Sequence, residues 1–290
     1  MTLRVVLSWP PGRAALHALR AVPPPSLILP REVGNPAYFV SPFARPHDFL
    51  RRMKPLLFLL AILATALADD APKPPSPLYE TRELHDRNGI GKFYMGREIA
   101  HIMGHQAADW LERPEREEEE RTDKMVAALG LKPGMAVADI GCGTGYLAER
   151  VSPRIKPGGV VFGVDIQKEM LDLLVKKMKE KGIENVKPVL GEEADPKLDP
   201  ASCDMMVMVD VYHEFEFPYE MIRKMIAGLK KGGQIVFVEY RGEDPNVPIK
   251  LVHKMSEAQV KREMAVHPEL EWAETKKELP QQHMIFFRKK

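Results

Sequence analysis

The chain has 290 residues, room for one large domain or two small ones, and 44% of them are apolar against 29% charged, the composition of a globular protein with a core. Its 42 basic and 41 acidic residues leave a formal net charge of +1, which gives no electrostatic case for nucleic acid or an anionic membrane as partner. Aromatic residues at 7% offer no platform for base stacking, and the two cysteines, Cys142 and Cys203, do not read as a disulfide framework.

Residues 1–52 are rich in Pro and Arg, with Pro23-Pro24-Pro25 and further prolines at 30, 36, 42 and 46. Proline at that density prevents long helices and interior strands, so this stretch is expected to be disordered or a non-native upstream extension. Met53-Lys54-Pro55 then leads into an apolar run, Leu56 to Ala68, that closes on the small-x-small Ala66-Leu67-Ala68. A basic start, a short apolar core and a small-residue end are the three parts of a signal peptide, here over residues 53–68. The run is too short to span a bilayer as a stable helix, so no stable membrane insertion of the mature chain is expected. Signal peptides sit at a chain start, which makes Met53 the expected initiator; a twin-arginine signal using Arg51-Arg52 is the competing reading and requires initiation upstream. Cleavage near Ala68 implies an exported protein, periplasmic or secreted, and a cytoplasmic one if the signal is not used.

Residues 69–90 read as a linker and 91–130 as a helical extension. The extension concentrates Tyr94, Met95, His101, Met103, His105 and Trp110 ahead of the first strand of the main domain, and is expected to act as a lid. His101 and His105 stand one helical turn apart, a spacing compatible with a metal pair. No Glu-x-x pattern lies between them and no third ligand is evident, so no metal is assigned. The run Glu115–Asp123 is expected to be a solvated helix face with i,i+4 pairs.

From residue 131 to 290, short apolar runs alternate with helical segments. The runs are Met135–Ile140, Val160–Ile166, Val186–Leu190, Met205–Val211 and Gln234–Tyr240. Their continuous hydrophobicity suits strands covered on both faces. Thr144–Val151, Gln167–Lys181 and Tyr219–Lys230 read as the helices between them, the second amphipathic through Met170, Leu171, Leu174 and Met178. Glu269–Thr275 and His283–Arg288 read as a terminal antiparallel pair. This alternation predicts an α/β fold with a doubly wound, mostly parallel sheet.

The most specific segment is Asp139-Ile140-Gly141-Cys142-Gly143-Thr144-Gly145-Tyr146, at a strand-to-helix turn where an open α/β sheet places its ligand. The dinucleotide fingerprint requires glycine one position later than Gly145, where this chain has Tyr146, and no Gly-Lys-Ser/Thr follows for a phosphate loop. What remains is D-x-G-x-G-x-G, with Asp139 a carboxylate for a ligand that carries an ammonium and a sulfonium. Val164-Asp165-Ile166, some twenty positions on, supplies an acid at the place from which a ribose diol is held.

On these two motifs the chain resembles the class I S-adenosylmethionine-dependent methyltransferases, over about Arg116 to Lys290, and within them the small-molecule branch that includes quinone-biosynthesis enzymes. The resemblance implies a seven-stranded Rossmann-like sheet with its last strand antiparallel. It implies S-adenosylmethionine as cofactor, bound by Asp139, Gly141, Cys142, Gly143 and Gly145, by Asp165 and Ile166, by Glu192 in the loop Gly191-Glu192-Glu193, and by Asp210 after the fourth strand. It implies a small-molecule methyl acceptor and sets no oligomeric state.

Methyl transfer from a positively charged sulfur is an in-line displacement, for which alignment supplies most of the catalysis. A base is needed only for a protonated nucleophile. His213 is the first candidate, with Glu214 and Tyr212 beside it; a helix-start role for His213 stands as the structural alternative. The rival functions are a non-catalytic S-adenosylmethionine-binding module and a nicotinamide oxidoreductase, the second opposed by the glycine spacing.

Overall fold

The computed structural model describes residues 78–290. The upstream extension, the signal peptide and the first part of the linker lie outside the described residues, of which no helix is long and apolar enough to cross a membrane.

The described chain opens on three antiparallel strands, β1 (Tyr79–Thr81), β2 (Gly89–Tyr94) and β3 (Arg97–Ala100). This corrects two expectations: the linker through residue 90 contains β1, and the extension expected to be helical from residue 91 begins as a hairpin. The turn Met95-Gly96 explains it. Both residues hold positive φ, 49° and 88°, as a two-residue hairpin turn requires, and such a turn matches the twist of the strands it joins. Phe93, Tyr94, Ile99 and Ala100 are then buried.

Helices follow only later: α1 (Ala108–Leu111), α2 (Arg116–Glu120) and α3 (Thr122–Ala128). The acidic run is also corrected, because it is not a solvated face throughout. Arg121 takes φ 50° and separates α2 from α3. The i,i+4 pair is present but turned inward: Arg116 and Glu120 are both buried, and Arg116 Nε donates to Glu120 Oε2 at 2.9 Å.

The main sheet has seven strands: β4 (Ala136–Ile140), β5 (Val160–Asp165), β6 (Val186–Leu190), β7 (Cys203–Val209), β8 (Leu229–Tyr240), β9 (Leu270–Lys276) and β10 (Gln282–Lys289), in the order β6-β5-β4-β7-β8-β10-β9. The first five are parallel, and β10 pairs antiparallel with both β8 and β9. Both faces are covered, and the side chains sort by the period of two that a pleated strand imposes. Ala138, Ile140, Met206, Met208, Ile235 and Phe237 point to one face, where α6 (Pro218–Gly228) and α7 (Glu257–Met264) supply Met221, Ile222, Met225, Val260 and Met264. Val137, Val161, Met205, Val207, Val236 and Val238 point to the other, against Leu147 and Val151 of α4 (Tyr146–Val151) and Leu171 and Leu174 of α5 (Lys168–Glu180). Burial of each such side chain contributes about 1.5–3 kcal/mol, which is why a continuous apolar strand is stable only between two helical layers.

The chain steps from β4 to β5 and β6 on one side, then returns to lay β7 against the other side of β4. That reversal separates the connections on either side of β4 and opens a crevice at the carboxyl ends of the strands.

Candidate functional site

A cavity of about 600 Å³ occupies that crevice. Ile140, Asp165, Val209 and Tyr240 line it from the last positions of β4, β5, β7 and β8, and Gly191 does so just past β6.

One wall is the glycine loop. Gly141 has φ +70°, and a Cβ there would stand 2.4 Å from Val211 Cγ2, so the backbone passes where no side chain fits. The amides of Gly141 and Cys142 both donate to Val164 O, at 2.8 and 3.0 Å, and the Gly143 amide donates to Asp165 Oδ2 at 2.9 Å. These N–H groups are therefore spent inside the protein. A loop that cradles phosphate must instead aim them at the ligand. Asp165 Oδ1 accepts from the Gln167 amide at 2.9 Å; burial raises the Asp165 carboxyl, opposed by these backbone bonds.

The roof is the segment between β3 and α2. Gln167, just after β5, clamps it from both sides: Nε2 donates to Met103 O at 2.9 Å and Oε1 accepts from the His105 amide at 2.8 Å. Glu112 forms a second latch, accepting from Thr144 Oγ1 of the glycine loop and from Lys177 Nζ at 2.6 Å. Met103, Trp110, Leu111 and Arg116 face the cavity from this roof. Trp110 is 45% exposed and lies under the Arg113 guanidinium at 3.8 Å.

The far wall is the turn after β7. Glu239, fully buried at the end of β8, accepts from the Tyr212 amide at 2.9 Å through Oε1, and its Oε2 lies 2.7 Å from His213 Nδ1. A carboxylate can only accept, so Nδ1 carries a hydrogen, and when the ring holds a single proton its Nε2 is a lone pair. Nε2 lies 3.2 Å from His253 Nδ1 and 4.0 Å from Glu214 Oε1. Burial pushes the Glu214 carboxyl up to about 7 against the pull of His213, and burial, with His213 next, pushes His253 down to about 4. Asp210, at φ +54°, accepts through Oδ2 from Gln282 Nε2 at 2.5 Å. Its Oδ1 is buried with no hydrogen-bond partner among the described residues, and burial holds the carboxyl well above its usual range.

Of the residues singled out from the sequence, Gly141, Gly143, Asp165, Ile166, Glu192, Asp210, His213 and Glu214 face this one cavity. Four others do not. Tyr212 is wholly buried; its hydroxyl donates to Glu263 at 2.6 Å and its ring meets Phe237 edge-on at 4.9 Å, so it belongs to the core. Cys142 turns its thiol into the core on the α4–α5 side. Gly145 is a packing position, since a Cβ would stand 2.2 Å from Leu174 Cδ1. Asp139 sits beneath the loop, 3% exposed, and burial raises its carboxyl from 3.8 to about 7, opposed by Arg116.

The raised Asp139 makes a stability prediction. The folded state keeps a proton that the unfolded chain releases near 3.8, so this carboxyl lowers stability as pH rises from there through about 7. Asp139→Asn is expected to reduce the loss of thermal stability between pH 5 and pH 8, an effect on the order of a few kcal/mol. An unchanged slope in thermal unfolding would assign the loss to other groups.

Comparison with known proteins agrees with this geometry. The family model described as a methyltransferase domain matches residues 131–283, more than half of the chain. The chain belongs to that methyltransferase family. The nocamycin O-methyltransferase of Saccharothrix syringae is 35% identical over 75 residues, 26% of this chain and 27% of that one. The demethylmenaquinone methyltransferase of Lactococcus lactis is 25% identical over 126 residues, 43% and 49% of the two chains. This chain thus spans about half, or less, of the length of these curated relatives. In fold, it is similar to a SAM-dependent methyltransferase from Aquifex aeolicus, with a TM-score of 0.61 and 20% identity over 65% of this chain and 100% of the other.

Several features of the methyltransferase site escape sequence reading. Glu239-Tyr240-Arg241 reads as the start of a substrate-contacting loop at the sheet edge, whereas Glu239 and Tyr240 still belong to β8, and nothing local ties Glu239 to His213, 26 positions earlier. His253 follows a Pro-rich loop with no motif around it. The burial of Arg116 hides in a run of charges. Gln167 had a usable signal, as a polar residue directly after Asp165-Ile166 at the switch-point edge of β5.

Proposed function

We propose that this methyltransferase binds S-adenosylmethionine against the glycine loop and Asp165 and transfers its methyl group to a small hydroxylated acceptor held beside His213. The observation that carries the reading is that a single cavity unites Gly141, Gly143 and Asp165 with a histidine braced by a buried carboxylate. The residues fit the cofactor: Gly141 leaves room for close approach, Asp165 offers carboxylate oxygens at the ribose position, and Asp210 leaves a buried Oδ1 without a partner at the cavity wall. Bound there, S-adenosylmethionine supplies a methyl group on a positively charged sulfur.

The chain's own residues do the rest. Gln167 and Glu112 latch the roof to the sheet over the cavity. Glu239 fixes the His213 ring and its tautomer, which leaves Nε2 to receive a hydroxyl group. An oxygen acceptor is in keeping with the name of the Saccharothrix relative. Export with cleavage behind Ala68 belongs to the same proposal; N-terminal sequencing of the mature protein tests it, with Asp69 as the expected first residue.

Methyl-labelled S-adenosylmethionine offered with a panel of phenols, catechols and hydroquinones tests the reading. Label on an acceptor oxygen is the expected result. Cofactor binding without transfer to any acceptor would instead support the binding-module alternative. Trp110→Ala, which opens the roof at a half-exposed position, is expected to lower kcat/KM about 10-fold while stability changes by less than about 1 kcal/mol. An unchanged rate would remove Trp110 from the roof's function.

A further inference from the structure

We infer that His213, Glu214 and His253 form a binding site for a first-row divalent transition-metal ion on the acceptor side of the cavity. One ligand atom from each residue lies within 4.8 Å of the other two, and no other group of this kind occurs among the described residues. His213 Nε2 and His253 Nδ1 are 3.2 Å apart, and Glu214 Oε1 lies 4.0 Å from His213 Nε2. Ligands at the usual metal distances of about 2.0–2.2 Å stand roughly 3–3.4 Å from one another at tetrahedral or octahedral angles. The histidine pair is already at that spacing, and the carboxylate, within 4.8 Å of both nitrogens, reaches it by a side-chain movement on the order of 1–2 Å.

Three further features fit a metal rather than a hydrogen-bonded histidine pair alone. Glu239 holds the far nitrogen of His213 at 2.7 Å, the carboxylate–histidine arrangement that fixes the tautomer and raises the basicity of a metal-binding imidazole. All three ligands face the cavity, so a bound ion keeps open positions toward an acceptor. The three come from two separate turns, Tyr212–Glu214 and Leu251–His253, the first held by Glu239 and the second packed through the buried Val252. Two imidazoles and one carboxylate on one side of an ion suit zinc(II), iron(II), cobalt(II) or manganese(II) better than magnesium or calcium, which prefer all-oxygen sites. The site departs from the His101–His105 pair suggested by helical spacing: those residues lie at the end of β3 and in the roof, outside this cluster.

The ligand set stands on the geometry alone; its catalytic meaning rests on the proposed function, with the ion replacing the direct contact between His213 Nε2 and the acceptor hydroxyl: the ion would take that oxygen as a ligand and select acceptors with two adjacent oxygens. The test titrates the full chain, stripped with chelator, with cobalt(II) followed by visible absorption. Uptake of one cobalt(II) per chain, displaced by zinc(II), is expected. His253→Ala and Glu214→Gln should each weaken uptake by at least about 100-fold, and Glu239→Gln by about 10–100-fold. Thermal unfolding and S-adenosylhomocysteine calorimetry on each variant show that it is folded. No uptake by the parent chain, or equal uptake by the His253→Ala and Glu214→Gln variants, overturns the site. Cobalt binding without S-adenosylhomocysteine binding would overturn the methyltransferase reading and leave the metal site standing; the reverse result would overturn only the metal site.

Discussion

Gly141→Ala is expected to raise the Kd for S-adenosylhomocysteine by roughly 100-fold or more. The added Cβ would lie 2.4 Å from Val211 Cγ2, on a residue at φ +70°. A side chain at positive φ costs about 1–2 kcal/mol, and forced overpacking about 1–3 kcal/mol more. The loop can shed that strain only by leaving its bonds to Val164 O, and the cavity wall leaves with it. Gly134→Ala is the matched control, because Gly134 has φ +84°, no atom within 4 Å of the added Cβ, and no place on the cavity. That variant should lose about 1 kcal/mol of stability and bind the ligand unchanged. Equal binding by both variants would show that the loop does not hold the ligand.

His213→Ala is expected to lower kcat by about 10²–10⁴-fold, with the Kd for S-adenosylhomocysteine changed by no more than a few-fold. Gly141, Gly143 and Asp165 are untouched by the substitution, whereas the only side chain braced by Glu239 at the cavity wall among the described residues is lost. Glu239→Gln should fall between the parent and His213→Ala, because an amide oxygen can still accept from Nδ1 but no longer carries the charge. Full activity in His213→Ala would mean that an acceptor needing neither a proton transfer nor an ion at this wall is the real one.

The legible and illegible parts of this chain divide by the distance over which information travels. The inner parallel strands announce themselves because they are apolar on both faces; the edge strand Val186–Leu190, with Lys187 and Pro188 exposed, still matches its expected bounds residue for residue. The glycine loop is local too, and Gly141, Gly143 and Asp165 meet at the cavity as their spacing suggests. The β2–β3 hairpin is obscured because the mixed Tyr, Met, His and Arg content between residues 91 and 105 satisfies no clean period, and only Gly96 marks the turn. Helix α7 carried an unread signal, Ser256 three positions before Gln259, whose amide donates to the serine hydroxyl at 3.1 Å, as a helix N-cap does. Tyr212 and Asp139 show the opposite failure. Both lie next to residues that reach the cavity, and one step along a turn or strand reverses which way a side chain points. His213–Glu239 and His213–His253 join residues 26 and 40 positions apart, contacts that only the folded sheet edge creates.

The most direct test of the account is a parallel calorimetric titration of the protein with S-adenosylmethionine, S-adenosylhomocysteine and NADH. The loop's inward-bonded amides and the residue Tyr146 at the third fingerprint position predict one site per chain for each adenosyl ligand and none for NADH. Binding of NADH alone, or of none of the three, would contradict it.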